Sequence, residues 1–241
     1  MAKILIAGIC GGIGHALFDR LVHSGEEHEI YAIGHNAVKM QELQAAEPKL
    51  KYVQVCDFTH PENLESELEP LWEQGPFDAF CYCSGMTRIE SVRKIDYQSS
   101  LELFNVNFFA MTLVLKQLIR HKPRSLTCRV ALLSSIAAKV GSDHSGMYAA
   151  SKAAMDLFVK ANARELLTYN VSINTLQPSY VDTPMLQVFG GIGDVAEFKK
   201  GNQTYGLIKP DETAVELEYM LTSMPLCVTG SSRVMSAGIV A

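Results

Sequence analysis

Lys3-Ile4-Leu5-Ile6-Ala7-Gly8-Ile9-Cys10-Gly11-Gly12-Ile13-Gly14 opens the chain, and the helix-patterned stretch Gly14–His23 follows without a break. A short apolar run that ends in glycines and passes straight into a helix reads as a strand, a tight turn and a helix N-terminus. Glycines there let backbone N–H groups come close to a ligand, and the positive end of the helix favours a pyrophosphate. The same residues also fit a glycine-rich turn that holds nothing. The choice depends on whether this unit stands alone or begins a repeated pattern.

It begins one. Apolar runs recur at Glu29–Gly34, Lys51–Cys56, Phe77–Cys83, Arg129–Ser134, Val171–Gln177 and, more weakly, Arg233–Ser236. Helical stretches lie between them at Ala37–Ala46, Pro61–Glu73, Asp96–Arg120, Tyr148–Thr168 and Pro210–Ser223. Continuously apolar strands spaced by helices describe a parallel sheet covered on both faces. The expected fold is α/β, a single Rossmann-type doubly wound parallel sheet of about seven strands, with residues 1–241 forming one domain. At the first strand-to-helix turn of such a sheet, the glycine run reads as nucleotide-binding. The alternation lapses between Pro184 and Pro210, where Gly190, Gly191, Gly193, Gly201 and Gly206 accumulate among Met185, Leu186, Val188, Phe189, Phe198 and Tyr205. A long, glycine-rich loop threaded with apolar side chains is expected to act as a substrate lid over about 184–209.

The bulk numbers exclude several classes. With 48% apolar and 20% charged residues the composition is that of an ordinary globular chain. A net charge of −5 argues against a nucleic-acid partner. No apolar run approaches the ~20 residues that a membrane span needs, so no membrane partner is expected. The N-terminal Met1-Ala2-Lys3 leads into too short an apolar stretch for a signal peptide. The cysteines, Cys10, Cys56, Cys81, Cys83, Cys128 and Cys227, form no Cys-x-x-Cys pair. Reduced thiols in a cytoplasmic protein, without a metal site, are the expectation.

Chemistry concentrates in Tyr148-Ala149-Ala150-Ser151-Lys152. Residues four apart on a helix share a face, so Tyr148 and Lys152 point the same way. A phenol titrates near ~10, and a neighbouring ammonium favours the phenolate, which would make Tyr148 a general acid–base. A second Tyr-x-x-x-Lys match, Tyr205 and Lys209, spans Gly206 and runs into Pro210, so no helix is expected to present it. Ser135 lies thirteen residues before Tyr148, at the end of a strand-like run. A hydroxyl at a strand end and a Tyr/Lys pair at the next helix start can converge on one carbonyl oxygen. Elsewhere, Asp57 and Phe58 follow the third run; a carboxylate there accepts from an adenine amino group or serves as a turn or N-cap residue. Cys83-Ser84-Gly85 is small enough to let backbone lie against a ribose. Asn107 is polar within an apolar helix and must find partners.

Together these residues resemble the short-chain dehydrogenase/reductase family, in its compact form with a Gly-x-x-x-Gly-x-Gly loop, and the resemblance covers the whole chain. Gly8, Gly12 and Gly14 match the loop, with Ile13 as its apolar spacer. Asp57 matches the adenine-contacting aspartate. Asn107, Ser135, Tyr148 and Lys152 match the catalytic tetrad, and Pro178, Val181 and Thr183 the segment that holds the nicotinamide carboxamide. The chain departs from the family at Ala7 for threonine, at Cys83-Ser84 for Asn-Ala, losing an amide that braces the fourth strand, and at Ser179 for glycine. The resemblance implies hydride transfer between a nicotinamide and a carbonyl or carbinol carbon. Tyr148 would exchange the oxygen's proton, Ser135 would hydrogen-bond that oxygen, Lys152 would lower the Tyr148 pKa and bind the nicotinamide ribose, and Asn107 would hold a water.

Cofactor choice rests on Gly34-His35-Asn36, which has no carboxylate to bind an NAD ribose. His35 falls where NADP-using relatives often carry arginine, although it also fits a loop histidine without a role. NADP(H) is favoured over NAD(H). The substrate is expected to be a small-molecule carbonyl or alcohol, a medium-sized apolar ketone or 3-oxoacyl group, by likeness to 3-oxoacyl-carrier-protein reductases. His144 and Met147 would face the lid. Lys199 and Lys200 either attract an acidic carrier or solvate a helix end. Relatives pair the helices corresponding to Asp96–Arg120 and Tyr148–Thr168, which implies a homodimer or homotetramer. Two other classes compete: a nucleotide sensor of this fold without turnover, and a sugar-nucleotide epimerase or dehydratase. The latter resemble a Gly-x-x-Gly-x-x-Gly pattern and carry a larger C-terminal domain.

Overall fold

A computed structural model describes residues 2–141, 143–189 and 203–239. Its strands are β1 (Lys3–Ala7), β2 (Glu29–Gly34), β3 (Leu50–Val55), β4 (Ala79–Tyr82), β5 (Cys128–Leu133), β6 (Val171–Pro178) and β7 (Ser232–Met235). All pair in parallel in the order β3-β2-β1-β4-β5-β6-β7. The order reverses between β1 and β4, and in open sheets of this kind ligands bind at that switch point, beyond the carboxyl ends of the strands. The apolar runs predict every strand to within two residues, because central strands buried on both faces are rich in apolar residues.

The period of two along each strand sends alternate side chains to opposite layers. Leu5, Ala7, Phe80, Tyr82, Val130 and Leu132 face one core, together with α6 (Ala110–His121) and α8 (Gly146–Leu167). Ile4, Ile6, Ile30, Ala32, Cys81 and Ala131 face the other, with α1 (Gly12–His23) and the last helix. That last helix is Pro210–Thr222. The stretch Tyr97–His121 is long and apolar enough for a membrane span, contrary to the expectation that no run comes close. Its Leu103, Met111, Val114, Leu115 and Leu118 are instead buried in the first core.

Two expected helices are interrupted. Pro61–Glu73 splits into a short 3₁₀ turn and two single turns, α3 (Leu64–Glu67) and α4 (Glu69–Trp72), because Pro70 has no N–H to continue the ladder. Asp96–Arg120 becomes α5 (Tyr97–Phe104), a π-helical turn over Asn105–Phe109, and α6. Asp96 caps α5 by accepting from Ser99 N at 2.9 Å. A short helix, α7 (Ala137–Val140), follows β5 unannounced by the sequence. The helix Ala37–Ala46 is α2, as expected.

Candidate active site

The carboxyl edge of the sheet bounds a cavity of about 1140 Å³. Its lining passes from His35, Asn36 and Asp57 beyond β2 and β3, through the glycine turn and Cys83–Gly85, to Ser135, Tyr148, Lys152 and Pro178. Every residue expected to act in catalysis or cofactor binding lines it except Asn107, which lies directly behind.

The glycine turn is shaped by packing before any ligand is considered. Gly8 has φ +92°, and a Cβ there would fall 2.7 Å from Ser84 N. A Cβ on Gly14 would fall 2.2 Å from Gly8 O, which no local adjustment relieves. Close approach of β1, β4 and α1 therefore demands glycine at both positions. Helix α1 starts after Gly11 with no side chain capping it, so its first N–H groups remain available to an anion at the cavity. Ile13 lines the same turn, and Thr183 packs its side chain against Gly12, joining the loop after β6 to the turn after β1.

Beyond β2, Asn36 caps α2 by accepting from Lys39 N at 3.0 Å. The capped helix carries Lys39 in its first turn, where side chains lean back toward the N-terminus. Lys39 Nζ reaches the carbonyl of Cys10 in the glycine turn at 3.0 Å. The sequence reading missed Lys39; the usable signal was the asparagine cap three residues before it. Asp57 forms the turn that the sequence left open as an alternative. Its Oδ1 accepts from Thr59 N at 2.9 Å and Thr59 Oγ1 at 2.8 Å, bonds that hold its carboxyl below the usual range. Phe58 is buried with its ring 5.6 Å from that of Tyr82.

On the far side, Ser135 hydrogen-bonds the half-buried Tyr148 phenol. Lys152 is buried, and its Nζ donates to Leu133 O at 2.8 Å and lies 6.0 Å from the centre of the Tyr148 ring. The expected depression of Tyr148 by Lys152 is not found: burial pushes the phenol up, with the Ser135 bond opposing. Burial instead brings Lys152 down to about 8, with Asp156 and Cys83 opposing that fall. An ammonium taken out of water loses more than Asp156 and Cys83 return.

Asn107 sits in the π turn, a local widening of the helix often found at functional sites. Its Oδ1 accepts from Met86 N at 2.9 Å, and its Nδ2 donates to Met86 O at 3.0 Å and Ser151 Oγ at 2.9 Å. This fully used amide ties the chain after β4 to α8 next to Lys152. Tyr82 adds a second tie, donating to Val106 O at 2.6 Å. These ties brace the end of β4 where the asparagine of the resembled family is replaced by Cys83, whose thiol lies 3.3 Å from that of Cys81.

The segment after β6 is held by Gln203. Ser179 Oγ and Tyr180 N donate to Gln203 Oε1 at 2.7 and 3.1 Å, and Val181 bridges to Ile208. The serine that departs from the family pattern thus gains a specific partner. Of the expected lid, 190–202 lies outside the described residues, with Gly190, Gly191, Gly193, Gly201, Phe198, Lys199 and Lys200. Met185 and Leu186 line the cavity from the near flank, opposite Met86, Val140 and Gly141. His144 is exposed and does not line the cavity, and neither does Met147; Ser145 takes that place.

The family described as short chain dehydrogenase matches residues 2–190. An acetoacetyl-CoA reductase of Allochromatium vinosum is 27% identical, over 99% of this chain and 99% of that protein. Among solved structures, a 3-ketoacyl-(acyl-carrier-protein) reductase of Brucella melitensis complexed with NADH superposes with a TM-score of 0.86 at 18% identity, covering 98% of this chain and 97% of that one. An actinorhodin polyketide ketoreductase with NADPH gives 0.85 at 21%, covering 99% and 97%.

Proposed function

The chain belongs to the short-chain dehydrogenase family and is an NAD(P)-dependent oxidoreductase, and on that premise we propose that it reduces a medium-sized ketone or 3-oxoacyl substrate with NADPH. The observation that carries this reading is the convergence of Ser135, Tyr148 and Lys152 on a cavity whose outer wall is apolar, with Met86, Val140, Met185 and Leu186.

The residues present fit a dinucleotide. An uncapped helix N-terminus faces the cavity, and the glycine turn at Gly8–Gly14 and the segment Cys83–Gly85 line it. Gly8, Gly12, Ile13 and Gly14 would take the pyrophosphate, Asp57 and Phe58 the adenine, Cys83, Ser84 and Gly85 a ribose, and Pro178, Val181 and Thr183 the nicotinamide. When bound, the cofactor supplies or accepts hydride. Tyr148 donates its proton to the substrate oxygen, and Ser135 hydrogen-bonds that oxygen as charge develops on it. Lys152 supplies positive charge beside Tyr148 and would bind ribose hydroxyls of the cofactor. Asn107 holds the backbone at Met86 and α8 in register.

The preference for NADPH is supported by Lys39 and His35 at the end of β2, two cationic or ionisable groups with no carboxylate at His35 or Asn36. A 2′-phosphate there would meet an ammonium already turned toward the glycine turn. Self-association through α5, the π turn and α8 is supported by the exposure of Tyr97, Phe109 and Leu157 on those elements; sedimentation at micromolar concentration checks it. The deciding experiment is NADPH oxidation with acetoacetyl-CoA and a panel of apolar ketones. Tight NADPH binding with no turnover on any of them would favour a nucleotide sensor instead.

A further inference from the structure

Asp156 lies one turn beyond Lys152 on the same face of α8 and is only 6% exposed, inside the packing between that helix and the sheet. A buried carboxylate is costly unless it is matched. Its Oδ2 accepts from Gln177 Nε2 on β6, while Asp156 Oδ1 and Gln177 Oε1 have no hydrogen-bond partner among the described residues. One neutral amide therefore leaves the carboxylate half satisfied. The cation coupled to it is Lys152. Among the described residues, the groups facing the Lys152 ammonium are Tyr148 and Asp156 on α8, Cys83 after β4, the neutral carbonyl of Leu133 from β5, and the Asn107 amide close by across Gly85. Among them Asp156 is the only carboxylate.

We propose that Asp156 is a positioning residue that holds the charge of Lys152 in place, extending the Tyr148–Lys152 pair into a Tyr148–Lys152–Asp156 row along one face of α8. The role deepens the proposed function and rests on its reading of Lys152 as the cation that binds the cofactor. Removing the carboxylate leaves desolvation unopposed except by Cys83, so Lys152 would lose its proton at lower pH. The competing account is a clip, in which the bond between Asp156 and Gln177 merely fastens α8 to β6.

Charge and clip are separable. In the unliganded protein carrying ¹³C-labelled lysine, the Lys152 resonance is assigned by its disappearance in Lys152→Met and followed by NMR against pH. Wild type should titrate near 8. Asp156→Asn, which still offers Gln177 an acceptor, should lower the midpoint by about one unit or more, as expected for loss of a nearby charge in a partly desolvated site. Asp156→Glu should restore it, and Gln177→Met, which breaks the clip and keeps the charge, should leave it unchanged. At pH 7.5, a one-unit fall from about 8 would cut the protonated share of Lys152 about threefold, so Asp156→Asn should bind NADPH about threefold more weakly, with Asp156→Glu at the wild-type level. If Asp156→Asn does not fold, Asp156→Ser supplies the neutral variant. An unmoved midpoint in the neutral variant, or an equal shift in Gln177→Met, overturns the inference. Undiminished NADPH affinity in Lys152→Met would instead sink the site reading, whatever the Asp156 titrations show.

Discussion

Along β1 and β4 the cavity is walled by backbone, whereas along β5 and α8 it is walled by side chains. On the first side, the Gly8 turn, Ser84 N and the start of α1 approach so closely that volume decides which residue each position accepts. On the second, Ser135, Tyr148, Lys152 and Asp156 are spaced by helical and strand geometry, and hydrogen bonds and charge set their behaviour. The contrast teaches how substitutions should divide. The backbone wall should tolerate no added atom, and the side-chain wall should tolerate isosteric changes in fold while losing chemistry.

The largest effect is expected on the side-chain wall. Tyr148→Phe removes a hydroxyl without altering volume, so turnover should fall about 10³-fold while NADPH affinity and thermal stability stay close to wild type. Steady-state rates on the best substrate, with an NADPH titration alongside, check it. Near-normal turnover would erase the distinction between the two walls. Next is Gly14→Ala, a one-carbon change that should weaken NADPH binding about 100-fold and cost about 2–3 kcal/mol of stability, because backbone at Gly8 O cannot yield. Fluorescence titration and thermal melting measure both, and an unaffected variant would show that the turn is not sterically fixed.

Lys39→Ala sharpens the comparison where the two kinds of wall meet, since a side chain there reaches over the glycine turn. NADPH affinity should fall about tenfold with NADH affinity unchanged, the loss of one charge-assisted contact. Equal losses for both cofactors would assign Lys39 to the turn itself. The smallest effect should come from Asp57→Ala, which removes two hydrogen bonds to Thr59 at an exposed turn. About 1 kcal/mol of stability is the expected loss, by analogy with capping residues, read as a lower melting temperature.

The order of strands and helices was legible in the sequence because it depends on local periodicity. Runs such as Ile4–Ala7 and Val130–Leu132 carry their burial in their composition, and Asp96 marks a boundary through its own hydrogen-bonding capacity, whereas the break at Pro70 went unread. The glycine turn was legible too, since it ends a strand and opens a helix, and so was the grouping of Ser135, Tyr148 and Lys152, since spacing at a strand end or on a helix turn fixes which side chains share a face. What the tertiary structure alone decided involves partners far apart in sequence. Lys39 reaching Cys10, Asn107 clamping Met86, Ser179 meeting Gln203, and Asp156 facing Gln177 all depend on how the elements stack. The direction of the Tyr148 and Lys152 ionisations belongs to the same class. A helical spacing of four promises an ammonium beside a phenol, but whether charge attraction or loss of water dominates is set by burial, and burial is a property of the assembled layers rather than of any segment.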